Sequence, residues 1–304
     1  MKMPKLLFIG STVADIVIRV PVLPSSRQDV HIVSQQVSLG GCAFNAFDAA
    51  QVTGLAACSL LSPEGTGVWG DWVRQTLQSR GIDPGVATVE APNGCCYCFV
   101  EPGGERTFLC EHGAEYRFRR EWVADAHPER CDGVYLCGLE VEEATGGEII
   151  DALTAQPPRC LYFAPGPRIG SIDGEKLRRI EALHPVYHLN DEEALGFTGA
   201  ASIQEAAAVL HERTDADVII TLGAQGAYAL SDGFAGVVPG FAAQVVDTIG
   251  AGDAHIGAVM AARSAGMSMP DALRLANRVS AAVVSHAGAG IDKEVYESIV
   301  KEDL

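Results

Sequence analysis

Val246-Asp247-Thr248-Ile249-Gly250-Ala251-Gly252-Asp253-Ala254 reads as an apolar strand running into a small-residue turn and straight into a helix. Gly250, Ala251 and Gly252 carry almost no side chain. Their backbone N–H groups can therefore converge on an anion while the following helix offers its positive N-terminal end. A carboxylate at the mouth of such a cradle repels phosphate unless it has a chemical task. Asp253 is expected to take the proton from a hydroxyl that attacks a phosphoryl group. On the local pattern alone, a helix cap after a tight turn is the other reading.

A Gly-x-Gly turn also opens dinucleotide sites, but that pattern needs a third small residue where His255 stands, and an acidic residue ending the next strand roughly 20 positions on. Asp271 has about that spacing, yet it follows Met269-Pro270 and starts a helical stretch. No Walker-type Gly-x-x-x-x-Gly-Lys-Ser/Thr and no protein-kinase catalytic loop occurs.

Outward from this turn the chain alternates short apolar runs with helical periodicity. Leu6 to Ile9, Ala57 to Leu61, Gly133 to Leu136, Cys160 to Ala164, Val186 to Leu189 and Val218 to Leu222 read as buried strands. Helices are expected between them, among them Ala43 to Thr53, Gly70 to Arg80 and Asp271 to Ser285. This pattern predicts an α/β fold, a doubly wound and mostly parallel sheet with ligands at the carboxyl ends of its strands. Two extended excursions interrupt it. Asp15 to Val20 with Val30 to Val37 is one; the other is Cys95 to Glu101 with Arg106 to Glu111, joined at Pro102-Gly103-Gly104. They predict a small β lid from about 12–38 and 94–114 on a single domain spanning 1–304.

The chain has 304 residues, 48% of them hydrophobic and 7% aromatic, with 33 glycines, which suits helices packed closely on a sheet. A net charge of −17 argues against a non-specific hold on nucleic acid or an anionic membrane, so a small molecule is the expected ligand. The nine cysteines are odd in number and scattered, which predicts reduced thiols rather than a disulfide framework. Cys95, Cys96 and Cys98 lack the second tight pair of a zinc site. The amino-terminal apolar run is too short for a signal peptide or a membrane span, so a cytoplasmic protein is expected.

The turn and several other segments, in order, resemble the PfkB, or ribokinase-like, carbohydrate kinases. Asp247 to Asp253 is similar to the family's C-terminal signature. Gly40-Gly41-Cys42-Ala43-Phe44-Asn45 resembles its Gly-Gly motif, Asn190-Asp191-Glu192-Glu193 its Asn-x-x-Glu motif, and Thr221-Leu222-Gly223-Ala224-Gln225-Gly226 its Thr-x-Gly-x-x-Gly turn. The resemblance implies an ATP-dependent kinase acting on a hydroxymethyl group of a sugar, with Asp253 as base and Gly250, Ala251 and Gly252 as anion hole. Asp15, Gly40, Gly41 and Asn45 would bind the acceptor, with Arg106 reaching the transferred phosphate and Glu140 the substrate hydroxyls. Thr221, Gly223 and Gly226 would receive the nucleotide phosphates. Asn277 and Ala287-Gly288-Ala289 would flank adenine. Asn190 and Glu193, three apart and so on one face of a helix start, would organise Mg²⁺ through water, although acidic residues also favour a helix N-terminus for its own sake. Backbone carbonyls near Asp247 and Ile249 would hold a monovalent cation such as K⁺.

This chain departs from the family's pattern at two places. Cys42 stands where many relatives have Lys, which loosens the identity of the acceptor. His255 stands where an aromatic is common, and its place on a different helix face from Asp253 reads as packing. A nucleoside kinase, including a pseudouridine-type kinase, remains the alternative within the family. A sugar-binding regulator without turnover is disfavoured by Asp253, Glu193 and the glycines. Exposed lid edges predict a homodimer pairing lid to lid.

Overall fold

The protein is described by a computed structural model covering residues 3–103, 105–286, 288, 290 and 294–297. The expected readings at Gly104, Ala287 and Ala289 lie outside the described residues. In chain order the strands are β1 (Lys5–Ile9), β2 (Val13–Arg19), β3 (Ser34–Gly40), β4 (Ala57–Leu61), β5 (Cys95–Val100) and β6 (Arg106–Glu111), followed by β7 (Gly133–Cys137), β8 (Leu161–Ala164), β9 (Val186–Asn190), β10 (Val218–Thr221), β11 (Ala227–Ser231) and β12 (Phe234–Val238).

Among the described residues the larger sheet has the order β12-β11-β10-β9-β8-β7-β1-β4. From β4 to β10 the pairings are parallel; β11 and β12 extend the edge as antiparallel strands. In β1, Leu6 and Phe8 enter the core on one face while Leu7 and Ile9 enter the core on the other. Burial on both faces explains why these strands read as continuous apolar runs rather than alternating ones. The second, smaller sheet, β3-β2-β5-β6, is built from the two extended excursions that the sequence marks as a lid. It pairs β2 with β5 in parallel and closes both outer pairs antiparallel.

One expectation fails. No strand precedes Asp247. β12 ends at Val238, and residues 239–250 run as irregular backbone into the helix Ala251–Ser264. Val245 and Val246 are 64% and 46% exposed, so their apolarity does not mark a buried strand. The N–H groups of Val246 and Asp247 instead donate to the Val284 carbonyl, just past the end of the helix Met269–Val283. That helix end fixes the entry to the turn without a ladder.

The helices Cys42–Val52 and Ala251–Ser264 lie against each other so closely that a Cβ on Gly257 would sit 2.1 Å from the Ala46 carbonyl oxygen. This close approach joins the two halves of the site. Among the described residues, no helix is long and apolar enough to cross a membrane.

Candidate active site

Asp253 sits in the first turn of its helix, behind Gly250, whose φ of +71° is the left-handed value that favours glycine. The first N–H groups of that helix have no intrahelical acceptor, and Ala251 and Gly252 line an adjoining cavity of about 650 Å³. Of the turn expected to form an anion cradle, the Ala251 N–H reaches back to the Thr248 carbonyl at 3.4 Å, while Ala251 and Gly252 both face the cavity. Asp247 holds the turn from below. Its Oδ1 accepts the Ile249 N–H at 2.9 Å and its Oδ2 the Gly288 N–H at 3.1 Å.

Asn45, from the helix Cys42–Val52, donates through Nδ2 to Asp253 Oδ2 at 3.1 Å. Sequence reasoning assigned Asn45 to an acceptor but missed this bond, which orients the carboxylate. Burial pushes Asp253 up to about 6, against hydrogen bonds from Asn45 and the Cys42 thiol that pull it down. Contact with the Cys137 sulfur, burial and the charge of Asp253 hold the Cys42 thiol well above its usual range. Cys42 thus meets Asp253 as a neutral group.

Asp15 comes from the lid strand β2 and is buried. The Gly-Gly segment makes its seat, since a Cβ on Gly40 would lie 1.8 Å from Asp15 Oδ2. Gly41, at φ +100°, could carry no Cβ either, because one would stand 2.4 Å from the Ser11 carbonyl oxygen. The demand for glycine here comes from packing within the chain. Burial, with the nearby charges of Cys110, Asp253 and Asp247, pushes Asp15 up to about 7.

Asp15 is thus protonated in the fold up to about pH 7 but in the unfolded chain only up to the ordinary carboxylate value of 3.8, so its contribution to stability is lost as pH rises between the two. Asp15→Asn is expected to stabilise the protein at pH 8 by ~2–4 kcal/mol. The gain should fade toward pH 4. Urea unfolding at both pH values checks this, and an equal change at both would sink it.

Arg106 carries the lid to the turn. Its Nη2 donates to Asp247 Oδ1 at 2.7 Å and its Nη1 to the Thr248 hydroxyl, leaving Nε buried without a partner. Glu140, in the first turn of the short helix after β7, is fully buried and accepts the Ser11 N–H at 2.8 Å; burial raises its carboxyl.

Thr221, Gly223, Gly226 and Asn277 all line the cavity beside Ala251 and Gly252. Gly226 has a φ of +99° in the β10–β11 turn, and any Cβ there would strike the Val238 carbonyl at 2.1 Å. Asn277 spends its polar atoms on the wall, with Nδ2 donating to the carbonyls of Val238 and Pro239 at 3.0 and 3.1 Å. Its Oδ1 accepts from His255 Nε2 at 3.1 Å, and His255 Nδ1 lies 3.0 Å from Nε2 of His188. Burial pushes His255 down to about 4 and His188 well below its usual range. Both rings are therefore neutral, with His188 donating to His255 and His255 to Asn277. His255 packs, as its helix position predicted, yet it also lines the cavity through this chain. His188 gave no signal in the sequence, nor did Phe241, a cavity residue under the Arg278 guanidinium at 4.6 Å.

Asn190 and Glu193 stand at the carboxyl end of β9 and form a capping box. Asn190 Oδ1 accepts the Glu193 N–H at 2.8 Å, and Glu193 Oε2 accepts the Asn190 N–H at 3.0 Å. The charge of Glu193 is among the influences that raise Asp253, which places the two carboxylates in electrostatic reach of each other. Asn190 does not line the cavity. Gly288 lines a smaller one of about 140 Å³ with Asp247 and lid residues Arg19, Gln36 and Ser38. Among the described residues, no group of three or more His, Cys, Asp or Glu could hold a metal ion directly.

Residues 3–295 match the model of the pfkB family of carbohydrate kinases. The uncharacterised sugar kinase YegV of Escherichia coli is 34% identical over 284 residues, covering 92% of this chain and 88% of that protein. The ATP-dependent ribose-1-phosphate kinase of Halopiger xanaduensis is 30% identical over 291 residues, 94% of each. Among solved structures, the ribokinase of Thermotoga maritima superposes with a TM-score of 0.83 at 21% identity, covering 99% of this chain and all of that one.

Proposed function

Since the chain belongs to the pfkB family of carbohydrate kinases, and so is a phosphotransferase with an alcohol group as acceptor, we propose that it transfers the γ-phosphoryl group of ATP to a hydroxymethyl group of a neutral sugar or sugar derivative in the cytoplasm. Asp253 is the base. The observation that carries this reading is the hydrogen bond from Asn45 to Asp253 at the mouth of the Gly250–Gly252 turn, which aims a carboxylate beside an open anion cradle. A pKa near 6 leaves Asp253 ionised at neutral pH yet basic enough to draw a proton in the transition state. Arg106 Nε–H is the donor left to meet the transferred phosphoryl oxygens.

The acceptor is read as neutral because Asp15, Glu140 and Asp253 surround its place, while the one guanidinium contributed by the lid strand β6 is held by Asp247. Asp15 accepts from vicinal hydroxyls, with Glu140 behind. The adjoining cavity takes the nucleotide, a reading supported by solved neighbours of the same fold, one a ribokinase of Cryptococcus neoformans in complex with ADP. Mg²⁺, bound through water by Glu193, would neutralise the phosphate charge. The Asp247 turn is the place for K⁺. Exposed Phe108 and Leu109 on the edge strand β6, at 51% and 60%, support a homodimer formed through the lids.

The test is ADP release with Mg²⁺, with and without K⁺, across pentoses, hexoses, ketoses, their acids and phosphates, and nucleosides. One neutral sugar turned over above all others bears the reading out. Turnover of a nucleoside alone, or of sugar phosphates alone, replaces it. With the acceptor in hand, kcat/KM is expected to fall about tenfold per pH unit below about 6, where Asp253 becomes protonated. A flat profile from pH 5 to 8 would remove Asp253 as the base.

A further inference from the structure

The lid sheet holds four free cysteines that the kinase reading leaves unused, and two of them, Cys96 and Cys110, face each other. Asp15, Cys96 and Cys110 are direct partners across β2, β5 and β6, so their side chains share one face of the lid sheet. Arg106 lies on that face as well, four positions before Cys110 on the same strand, and it reaches Asp247. The face therefore looks toward the site.

We propose that Cys96 and Cys110 are a peroxide-reactive dithiol that closes to a disulfide on the acceptor-facing side of the lid. Their sulfurs are 3.3 Å apart. Residues directly opposite in an antiparallel pair have Cα atoms about 4.5–5.5 Å apart, within the span that a disulfide bridges. Side-chain rotation alone can bring the sulfurs together, and the hairpin need not open.

Cys110 is exposed and Cys96 half-buried, so a hydroperoxide meets Cys110 first. Contact with Cys96 and, more weakly, the charge of His112 lower the Cys110 thiol, against burial. Burial raises Cys95, Cys98, Cys58, Cys131 and Cys160. The thiolate is therefore favoured at the one sulfur that solvent reaches freely.

The Cys110 thiolate attacks one peroxide oxygen, the O–O bond breaks, and the departing oxygen leaves as water after taking a proton. Cys110 is then a sulfenic acid. The Cys96 sulfur attacks it, the S–O bond breaks, and a second water carries away the Cys96 proton. Both thiols have been oxidised and the peroxide reduced by two electrons.

The chemistry rests on the lid alone, so it stands or falls apart from the identity of the acceptor. The reduced protein is treated with one equivalent of hydrogen peroxide, alkylated and mapped by peptide mass spectrometry. The expected product is a Cys96–Cys110 link within one chain, reversed by dithiothreitol. In Cys96→Ser, dimedone should trap the sulfenic acid at Cys110. In Cys110→Ser, the same dose should leave the remaining thiols reduced. Oxidation of another cysteine first, a link between two chains, or sulfinic acid at Cys110 without a link to Cys96 would overturn the proposal.

Discussion

Asp253→Asn is expected to lower kcat by about 10²-fold or more while leaving ATP affinity within about threefold. The substitution keeps the shape of the side chain and removes its charge and its ability to take a proton. The cavity residues Thr221, Gly223, Gly226 and Asn277 do not change, so nucleotide binding measured by calorimetry should survive. Stability moves the other way. Asp253 is held at about 6 against the ordinary carboxylate value of 3.8, so its ionised form costs the fold free energy at any pH above that window. Removing the charge should stabilise the protein at pH 8 by ~1–2 kcal/mol, the shift being discounted for solvent screening. A variant at once more stable and inactive is the signature of a base kept for chemistry. Loss of activity together with loss of stability would assign Asp253 a structural task, and activity within tenfold of wild type would end its assignment as base.

What the sequence made legible was local. The turn at Gly250 to Gly252, the antiparallel pairing of β5 with β6 and the apolar runs of β1, β7 and β9 each follow from neighbours within a few positions. The family's motifs, met in order, placed residues on the same strand ends that the structure brings to one side of the sheet. What stayed hidden depends on partners distant in the chain. Gly40 is required by Asp15, and Arg106 finds Asp247 across 141 positions. His188 was invisible because a lone histidine in an apolar strand carries no mark of the His255 ring 67 positions away. The strand expected before Asp247 failed for a related reason. Val245 and Val246 supply the composition of a strand, but β12 ends at Val238 and their neighbour is a helix end, so composition had nothing to pair with. The capping box at Asn190 and Glu193 shows a harder case, in which one pair of residues satisfies a local rule and remains in reach of the site.

Gly257→Ala is expected to destabilise the protein by roughly 2–4 kcal/mol and to cut kcat by about tenfold or more, through overpacking at a helix crossing. Gly257 lies four residues after Asp253 and so on the same face of their helix. Its added Cβ would meet the Ala46 carbonyl at 2.1 Å, and carbon and oxygen need about 3.2 Å or more. That oxygen belongs to the backbone of the helix Cys42–Val52, so no rotamer change relieves the clash. The helices must part by about 1 Å, and Asn45, the residue before Ala46, moves with its helix away from Asp253. The 3.1 Å bond that aims the base is the first casualty. Helix propensity opposes this, since Ala in place of an interior Gly is worth about 1 kcal/mol. Gly196 separates the two effects. It lies within the helix Asp191–Thr198, and a Cβ there meets nothing within 4 Å. Gly196→Ala should therefore stabilise by about 0.5–1 kcal/mol. Thermal unfolding of the two variants should show shifts of opposite sign from the same chemical change, and equal shifts would mean that the crossing is looser than its geometry implies.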